Sequence, residues 1–340
     1  MNETEPVTGA SGTRHPAPGV ISIVIITMNT KELLQALLSS IMHDGLLQPY
    51  LKEIIIIDNA STDGTDEMAK SESSNAAFIR NEENRGFSVS ANLGIARSTG
   101  EYILFLNSDT LMIEGEMLKM LKFMDEHRDA GICGPQLVYP DMKPQRSFAY
   151  RPTLLLEVIP KSILELMFPS RYARRNRAYS APIEVDSLIG AAIMASRKAI
   201  ELAGGFDERF FFFLEETDLC LRIRGEGQRI IFFPGARVIH LQGKTVGKSW
   251  IEGRIEYNIS LHKFIKKHHT PSYYYIFSFV RFLKCFPILI IYSALPFLLI
   301  TGRARMKYKY YFCLLVWHMR GCPEKGGLRI NSPVQKLLQG

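Results

Sequence analysis

The chain has 340 residues, 46% hydrophobic and 22% charged, a balance that excludes wholesale disorder and collagen-like repeats. Its net charge of +7 suits an anionic partner, whether a phosphorylated substrate, an acidic membrane surface or nucleic acid. Five cysteines without a CxxC pair exclude a disulfide scaffold, a zinc ribbon and a redox motif, and read as free thiols in a reducing compartment.

Residues 1–19 are polar and rich in Pro, Gly, Ser and Thr, with neither a basic start nor an apolar run. They read as a disordered lead-in rather than a signal peptide, which makes the cytoplasmic face of the membrane the expected location. Val20–Thr27 is a continuous β-branched run, suited to a strand buried on both faces. Thr30–Ile41 spaces Leu33, Leu34, Leu37, Leu38 and Ile41 as a helix does, with Thr30 as its N-cap. Further strands are predicted at Glu53–Ile57, ending in Asp58, at Ala77–Asn81, and at Tyr102–Leu106, running into Asn107-Ser108-Asp109. Helices are predicted at Ser88–Ser98 and Glu114–His127. Strand–helix alternation with polar residues at the strand ends predicts an open, mainly parallel α/β sheet flanked by helices, with its site along that edge.

Residues 141–182 are rich in Pro and Arg and lack a clear period, as a flap would be. Order returns over 183–243, with a strand near Ser187–Ala195, a helix from Lys198, a Phe-rich turn, a helix from about Glu216 and a strand at Arg229–Phe233. Near Trp250 the character changes: Ile251–Lys267 is helical, and Tyr273–Val280 and Cys285–Thr301 follow. The uncharged run from Cys285 to Gly302 would extend roughly 27 Å as a helix, short of a bilayer core of about 30 Å. Arg281 and Lys284 flank it on one side and Arg303, Arg305, Lys307 and Lys309 on the other. Positive charge on both flanks argues against a simple span and for a hairpin or in-plane helix on an anionic membrane surface. The expected organisation is a catalytic domain over 20–250, with halves at 20–110 and 183–245, and a basic, apolar helical tail over 251–340 that contacts lipid or a second copy of the chain.

The chemistry-bearing residues gather at strand ends. Asp58 and Asp109 each end or follow an apolar strand, and parallel strands bring such ends together. Asp109, one residue removed from the Asn107 amide, can hold a divalent cation while phosphates complete the shell. Asp, Asn and Ser also favour turns, so each alone is an ordinary turn residue. In Phe210–Arg222, Asp218 and Arg222 are an i,i+4 ion pair. Glu215 and Glu216, adjacent acids after a Phe run, have the environment that raises a carboxyl pKa and makes a general base. His240 follows a strand that would return it to the Asp109 edge, where an imidazole can join a carboxylate on a metal.

These motifs, in this order, resemble family 2 glycosyltransferases with the GT-A fold, of the rhamnosyltransferase-like branch. Ile23–Asn29 is similar to the family's first strand, with Met28 in place of Tyr. Ile56–Thr65, Asn84–Gly94 and Leu106–Thr110 are similar to its nucleotide-binding loop, the following helix and its metal motif. Gly190–Arg222 and Pro234–His240 are similar to its acceptor segment and closing strand. The resemblance implies that Thr27, Asn29, Asp58 and Asn59 hold the nucleoside, with Arg85, Asn92 and Asn107 near the nucleotide-sugar donor. It implies Mg²⁺ or Mn²⁺ on Asp109 and His240, and Glu216 as the base, with Glu215 beside it. The implied activity is inverting, metal-dependent transfer of a single sugar, rhamnose from dTDP-rhamnose, to a lipid-linked saccharide in surface polysaccharide synthesis. A UDP-hexose donor is the alternative. A basic nucleic-acid- or membrane-binding protein without turnover is the rival class. It is disfavoured because the basic residues lie beside apolar runs rather than on a stacking platform, so no nucleic-acid partner is expected. The Gln-x-x-Arg-Trp motif of processive synthases is absent from the sequence.

Overall fold

Four apolar runs build one half of the sheet. β1 (Ile21–Thr27), β2 (Leu51–Asp58), β3 (Ala76–Arg80) and β4 (Tyr102–Asn107) lie parallel in the order β3-β2-β1-β4. The computed structural model describes residues 19–72, 76–175, 177–241, 250–295, 297, 301–324 and 328. Of the lead-in at 1–19, residues 1–18 lie outside them.

Both faces of this half are covered, which is why β1, apart from Ser22, and β4 read as apolar runs. Ile21, Ile23 and Ile25 of β1 pack with Leu34, Leu37 and Ile41 of α1 (Lys31–Met42) and with α2 (Thr65–Glu72). Val24 faces the other way, toward Phe87 and Ala91 of α3 (Gly86–Arg97). Register sets the functional edge: Thr27 pairs with Asp58, Asp58 with Arg80, and Ile26 with Asn107. Thr30 stands at the α1 N-cap, but its hydroxyl makes no capping bond.

The second half is mixed. β5 (Thr110–Met112) and α4 (Glu116–Glu126) lead to β6 (Ala130–Val138), a fully buried strand that the sequence pattern does not announce. The flap contributes β7 (Phe148–Ala149), α5 (Leu154–Val158) and α6 (Lys161–Met167). The single strand expected near 187–195 is broken into β9 (Ser187–Leu188) and β10 (Ala192–Ser196), preceded by the short β8 (Ile183–Glu184). β10 runs antiparallel between β4 and β6. After α7 (Arg197–Ala203) and α8 (Glu215–Gly225), β11 (Arg229–His240) returns parallel to β6. It runs seven residues beyond the predicted Phe233, absorbing Pro234-Gly235 in a register shift between Phe233 and Arg237. β5 pairs antiparallel with its end, His240 opposite Thr110.

The tail is fastened to this body by charge. Asp218 of α8 accepts from Arg222 (2.8 Å), and from Lys267 (2.6 Å) and His268 (2.7 Å) of α9 (Trp250–His268). α10 (Pro271–Leu283), α11 (Cys285–Ala294) and α12 (Gly302–Met319) follow. Among the described residues, the helix long and apolar enough to cross a membrane is Pro271–Ala294, which runs through Lys284; the run from 285, read from the sequence as short for a simple span, overlaps its second half. Part of that expected run, 296 and 298–300, lies outside the described residues.

Candidate active site

The ends of β1 and β4 are joined by a hydroxyl chain. Thr27 Oγ1 lies 2.6 Å from Thr30 Oγ1, which donates to Ser108 Oγ at 2.9 Å. Asn29 adopts φ of 53°, a left-handed conformation that Asn tolerates. It bridges β1 to the next loop: its N–H donates to Ser61 Oγ (2.8 Å) and its Oδ1 accepts from Thr62 N (2.7 Å). Asp58 is wholly buried, accepts from the Ser61 hydroxyl and N–H, and faces Arg80 Nε at 3.7 Å.

Asn59 and Asn92 are committed to protein partners. Asn59 Oδ1 accepts from Asn81 (2.7 Å) and Ser90 (2.8 Å), while its Nδ2 donates to Gly86 O (3.2 Å). Asn92 exchanges amide bonds with the backbone of Phe206, at 2.8 and 2.9 Å, and donates to Glu208 Oε1 at 3.1 Å. Both hold loops in place through these bonds. Arg85 is exposed and has no ion pair or hydrogen-bonded side-chain partner among the described residues.

The structure brings Asp109 and His240 together. Register places His240 beside Thr110, Leu241 N donates to Asp109 O (2.8 Å), and His240 Nε2 lies 3.5 Å from Asp109 Oδ1. Gln145, which the sequence reading did not single out, organises this pair. Its Oε1 faces His240 Nδ1 at 3.0 Å and its Nε2 donates to His240 O at 2.6 Å. An acceptor on Nδ1 assigns the proton there and leaves the Nε2 lone pair toward Asp109, the arrangement of a metal-ligating histidine. Adjacent octahedral ligands at about 2.1 Å from a cation stand about 3 Å apart, so this oxygen–nitrogen pair fits a divalent ion. A second group, His262, His318 and Cys322, lies between α9 and the end of α12, with Cys322 Sγ 3.3 Å from His318 Nδ1.

Glu215 and Glu216 sit at a strained corner. Phe213 and Leu214 have φ of 71° and 65°, a left-handed pair costing about 1–2 kcal/mol each. The corner is held by Phe87 N donating to Phe211 O (2.7 Å), and only glycine fits at position 86, where a Cβ would stand 2.4 Å from that oxygen. Glu215 is 6% exposed and points inward, where the charges of Glu216 and of Glu256 on α9 both bear on it. Glu216 is half-buried against Gly190, where a Cβ would meet its side chain at 3.8 Å. The next residue, Ala191, accepts from Asn107 N at 2.9 Å. One turn therefore links Glu216 to the Asn107-Ser108-Asp109 loop. Each glutamate has one buried oxygen with no hydrogen-bond partner among the described residues. Burial pushes Glu216 up to about 7, against the pull of the backbone N–H groups at the α8 start. Burial, and after it the Glu216 charge, raises Glu215 well above the usual range.

A parallel nucleotide-type half, an inserted antiparallel strand and a carboxylate–histidine pair where β11 meets β5 define the GT-A class of sugar transferases. Residues 22–202 match the family model described as glycosyl transferase family 2, and the chain belongs to that family. It is 24% identical over 266 residues to the N-acetylglucosaminyl-diphospho-decaprenol L-rhamnosyltransferase of Mycobacterium tuberculosis, covering 74% of this chain and 85% of the relative. The mannosyltransferase PcManGT from Pyrobaculum calidifontis, solved with GDP-Man and Mn²⁺, superposes with a TM-score of 0.54 at 17% identity, over 89% of this chain and 85% of that one. GalNAc-T7, solved with UDP, GalNAc and Mn²⁺, gives 0.52 at 16% identity, over 76% and 56%. The fold is thus shared with both, and the protein is a glycosyltransferase.

Proposed function

We propose that the protein is an inverting transferase that moves one L-rhamnose from dTDP-rhamnose to a polyprenyl-diphosphate-linked saccharide at the cytoplasmic membrane face. The observation that carries this reading is the single turn, 190–191, that joins Glu216 to the Asp109 loop. The likeness to the mycobacterial rhamnosyltransferase supports the choice of donor and acceptor class.

Asn29 is exposed at the end of the nucleotide half, where the nucleoside binds, at the same edge as the buried Asp58 and Thr27 that hold its loops, and Asn107 and Arg85 stand toward the sugar diphosphate. Asp109 and His240 would hold Mg²⁺ or Mn²⁺, which supplies neutralising charge to the departing nucleoside diphosphate. Glu216 takes the proton of the acceptor hydroxyl as that oxygen bonds to the anomeric carbon and the bond to the diphosphate oxygen breaks. Attack on the face opposite the leaving group inverts the centre. Asn59 and Asn92 act by fixing the loops around the donor. Glu215, turned inward, supports the α8 corner beside Glu216.

The test is nucleoside-diphosphate release from dTDP- and UDP-sugars with a lipid-linked acceptor extract, in Mn²⁺, Mg²⁺ or EDTA. Metal-dependent dTDP release, lost in Asp109→Ala, is the expected result. Release of UDP alone would replace rhamnose with a hexose, and release of neither with any acceptor would overturn the reading.

A further inference from the structure

The flap helices carry an apolar face that the body of the protein does not use. Leu166 and Met167 on α6 are 67% and 63% exposed, and Val158, Ile163 and Phe168 beside them are exposed too. Such a concentration of large apolar side chains within eleven residues marks an interaction surface. On the tail, Tyr275, Ile276, Phe279, Leu283, Ile290 and Ile291 recur at helical spacing along α10 and α11 and are exposed as well. Only 11% of the most apolar window of Pro271–Ala294 is buried.

The two faces are joined. Leu154 N donates to Tyr273 Oη at 2.5 Å, and Leu154 packs with Tyr273 and Phe277. Glu157 of α5 binds Arg281 (2.8 Å) and Lys284 (3.0 Å) of the tail. This ion cluster lies near mid-length of the 271–294 helix. A helix crossing the bilayer would draw it toward the membrane centre, where charged side chains are costly to hold. Lying in the membrane plane, the helix keeps the cluster on its protein side. Cations complete the surface: Arg303, Arg305 and Lys307 at the start of α12, and Arg174 and Arg177 after α6, are exposed and unpaired among the described residues.

We infer that α5, α6 and the outer face of α10–α11 form one platform that inserts into an anionic lipid bilayer and holds the acceptor mouth beside Glu216 at the headgroup plane. Tyr257 of α9 supplies the link between platform and mouth. Its ring touches Phe213 with centroids 5.9 Å apart, and the charges of Arg281, Glu157 and Glu216 all bear on its hydroxyl. An acceptor anchored by its lipid then reaches the base without leaving the membrane. The inference deepens the functional reading by naming where a lipid-linked acceptor approaches, and its test needs neither donor nor turnover.

Full-length protein is floated with vesicles of phosphatidylcholine plus phosphatidylglycerol, and with vesicles of phosphatidylcholine alone. Wild type is expected to bind the anionic vesicles more tightly. The flap pair Leu166→Glu with Met167→Glu is expected to weaken that binding at least about tenfold, as is Phe279→Glu with Ile290→Glu. Leu166→Trp is expected to add fluorescence that brominated lipid quenches beyond the wild-type level, a readout that does not depend on a disruptive substitution. Undiminished vesicle binding by the flap pair, together with no added quenching in Leu166→Trp, would overturn the platform. A stable dimer without lipid, dissolved by the same substitutions, would overturn it in favour of a second copy as the occupant.

Discussion

Replacing Glu216 with Gln separates the two acids that the sequence leaves side by side. The substitution keeps size and polarity but removes the proton acceptor, and loss of a positioned general base lowers kcat by about 10²–10⁴. Glu215→Gln is expected to leave kcat within a few-fold, because Glu215 is turned inward toward the charge of Glu256, and burial raises its carboxyl pKa well above the usual range. Stability moves the other way. With the native Glu216 pKa raised from 4.5 to about 7, the folded state binds the proton more tightly than the unfolded chain does. Wild-type stability therefore falls as pH rises from about 4.5 to about 7, and the ionised side chain costs up to about 3 kcal/mol above that range. Glu216→Gln is expected to melt several degrees higher than wild type at about pH 8 and at nearly the same temperature at about pH 5. Wild-type kcat is expected to rise with pH through the neutral range, and the residual rate of the variant to be flat. Steady-state sugar transfer and thermal melts at both pH values supply the readouts. A Glu216→Gln enzyme that retains more than a tenth of kcat, or a Glu215→Gln enzyme equally damaged, would refute the assignment.

Three further perturbations follow from named contacts. Gln145→Leu removes the partner of His240 Nδ1 and is expected to weaken Mn²⁺ binding about 10–100-fold by calorimetry, with activity partly restored by excess metal; an unchanged Kd would remove Gln145 from the site. Asp218→Asn leaves Arg222, Lys267 and His268 around a neutral amide, and urea unfolding is expected to show a loss of about 3–5 kcal/mol near neutral pH. Burial alone would raise the Asp218 pKa, but hydrogen bonds from His268 and Lys267 hold it below its ordinary value of 3.8. Its stabilisation is therefore present above that value and lost as pH falls through the lower folded one, so the wild type and Asp218→Asn should converge in strong acid. Gly86→Ala forces a side chain at φ of 80° onto Phe211 O and is expected to cost about 2–3 kcal/mol in a thermal or urea melt, with a near-wild-type value counting against the fixed corner.

The strands that the sequence announces are those with covered faces and no punctuation. β1, β2 and β4 appear within two residues of their expected bounds because a parallel strand buried on both faces is built mostly of Ile, Val, Leu and Phe. β6 is equally buried yet hidden, because Gly131, Gly134 and Pro135 interrupt it. Those glycines are packing requirements: a Cβ at 131 would stand 2.6 Å from Ile223, and one at 134 would stand 2.8 Å from Leu188. β11 is shortened in the sequence by Pro234-Gly235, which the structure absorbs as a bulge on the way to His240. Thr30 looks like an N-cap by its position, but its hydroxyl belongs to the Thr27–Ser108 chain. The Asp218–Arg222 pair is legible from i,i+4 spacing, while the contacts of Asp218 with Lys267 and His268, in a different helix, are not.

Residue order suffices to place polar groups at the strand ends, to supply the acids and the histidine available for chemistry, and to give the tail its basic, apolar character. These are local properties, since side-chain type and period act over a few residues. Which glutamate turns outward is a matter of packing, because it depends on how α8 meets Gly190 on one side and Glu256 on the other. Packing likewise brings Gln145 to His240 across 95 residues, and lays Leu154 and Glu157 of the flap along the tail helix. Contacts between distant segments arise from the geometry of the folded chain, which no run of neighbouring residues encodes.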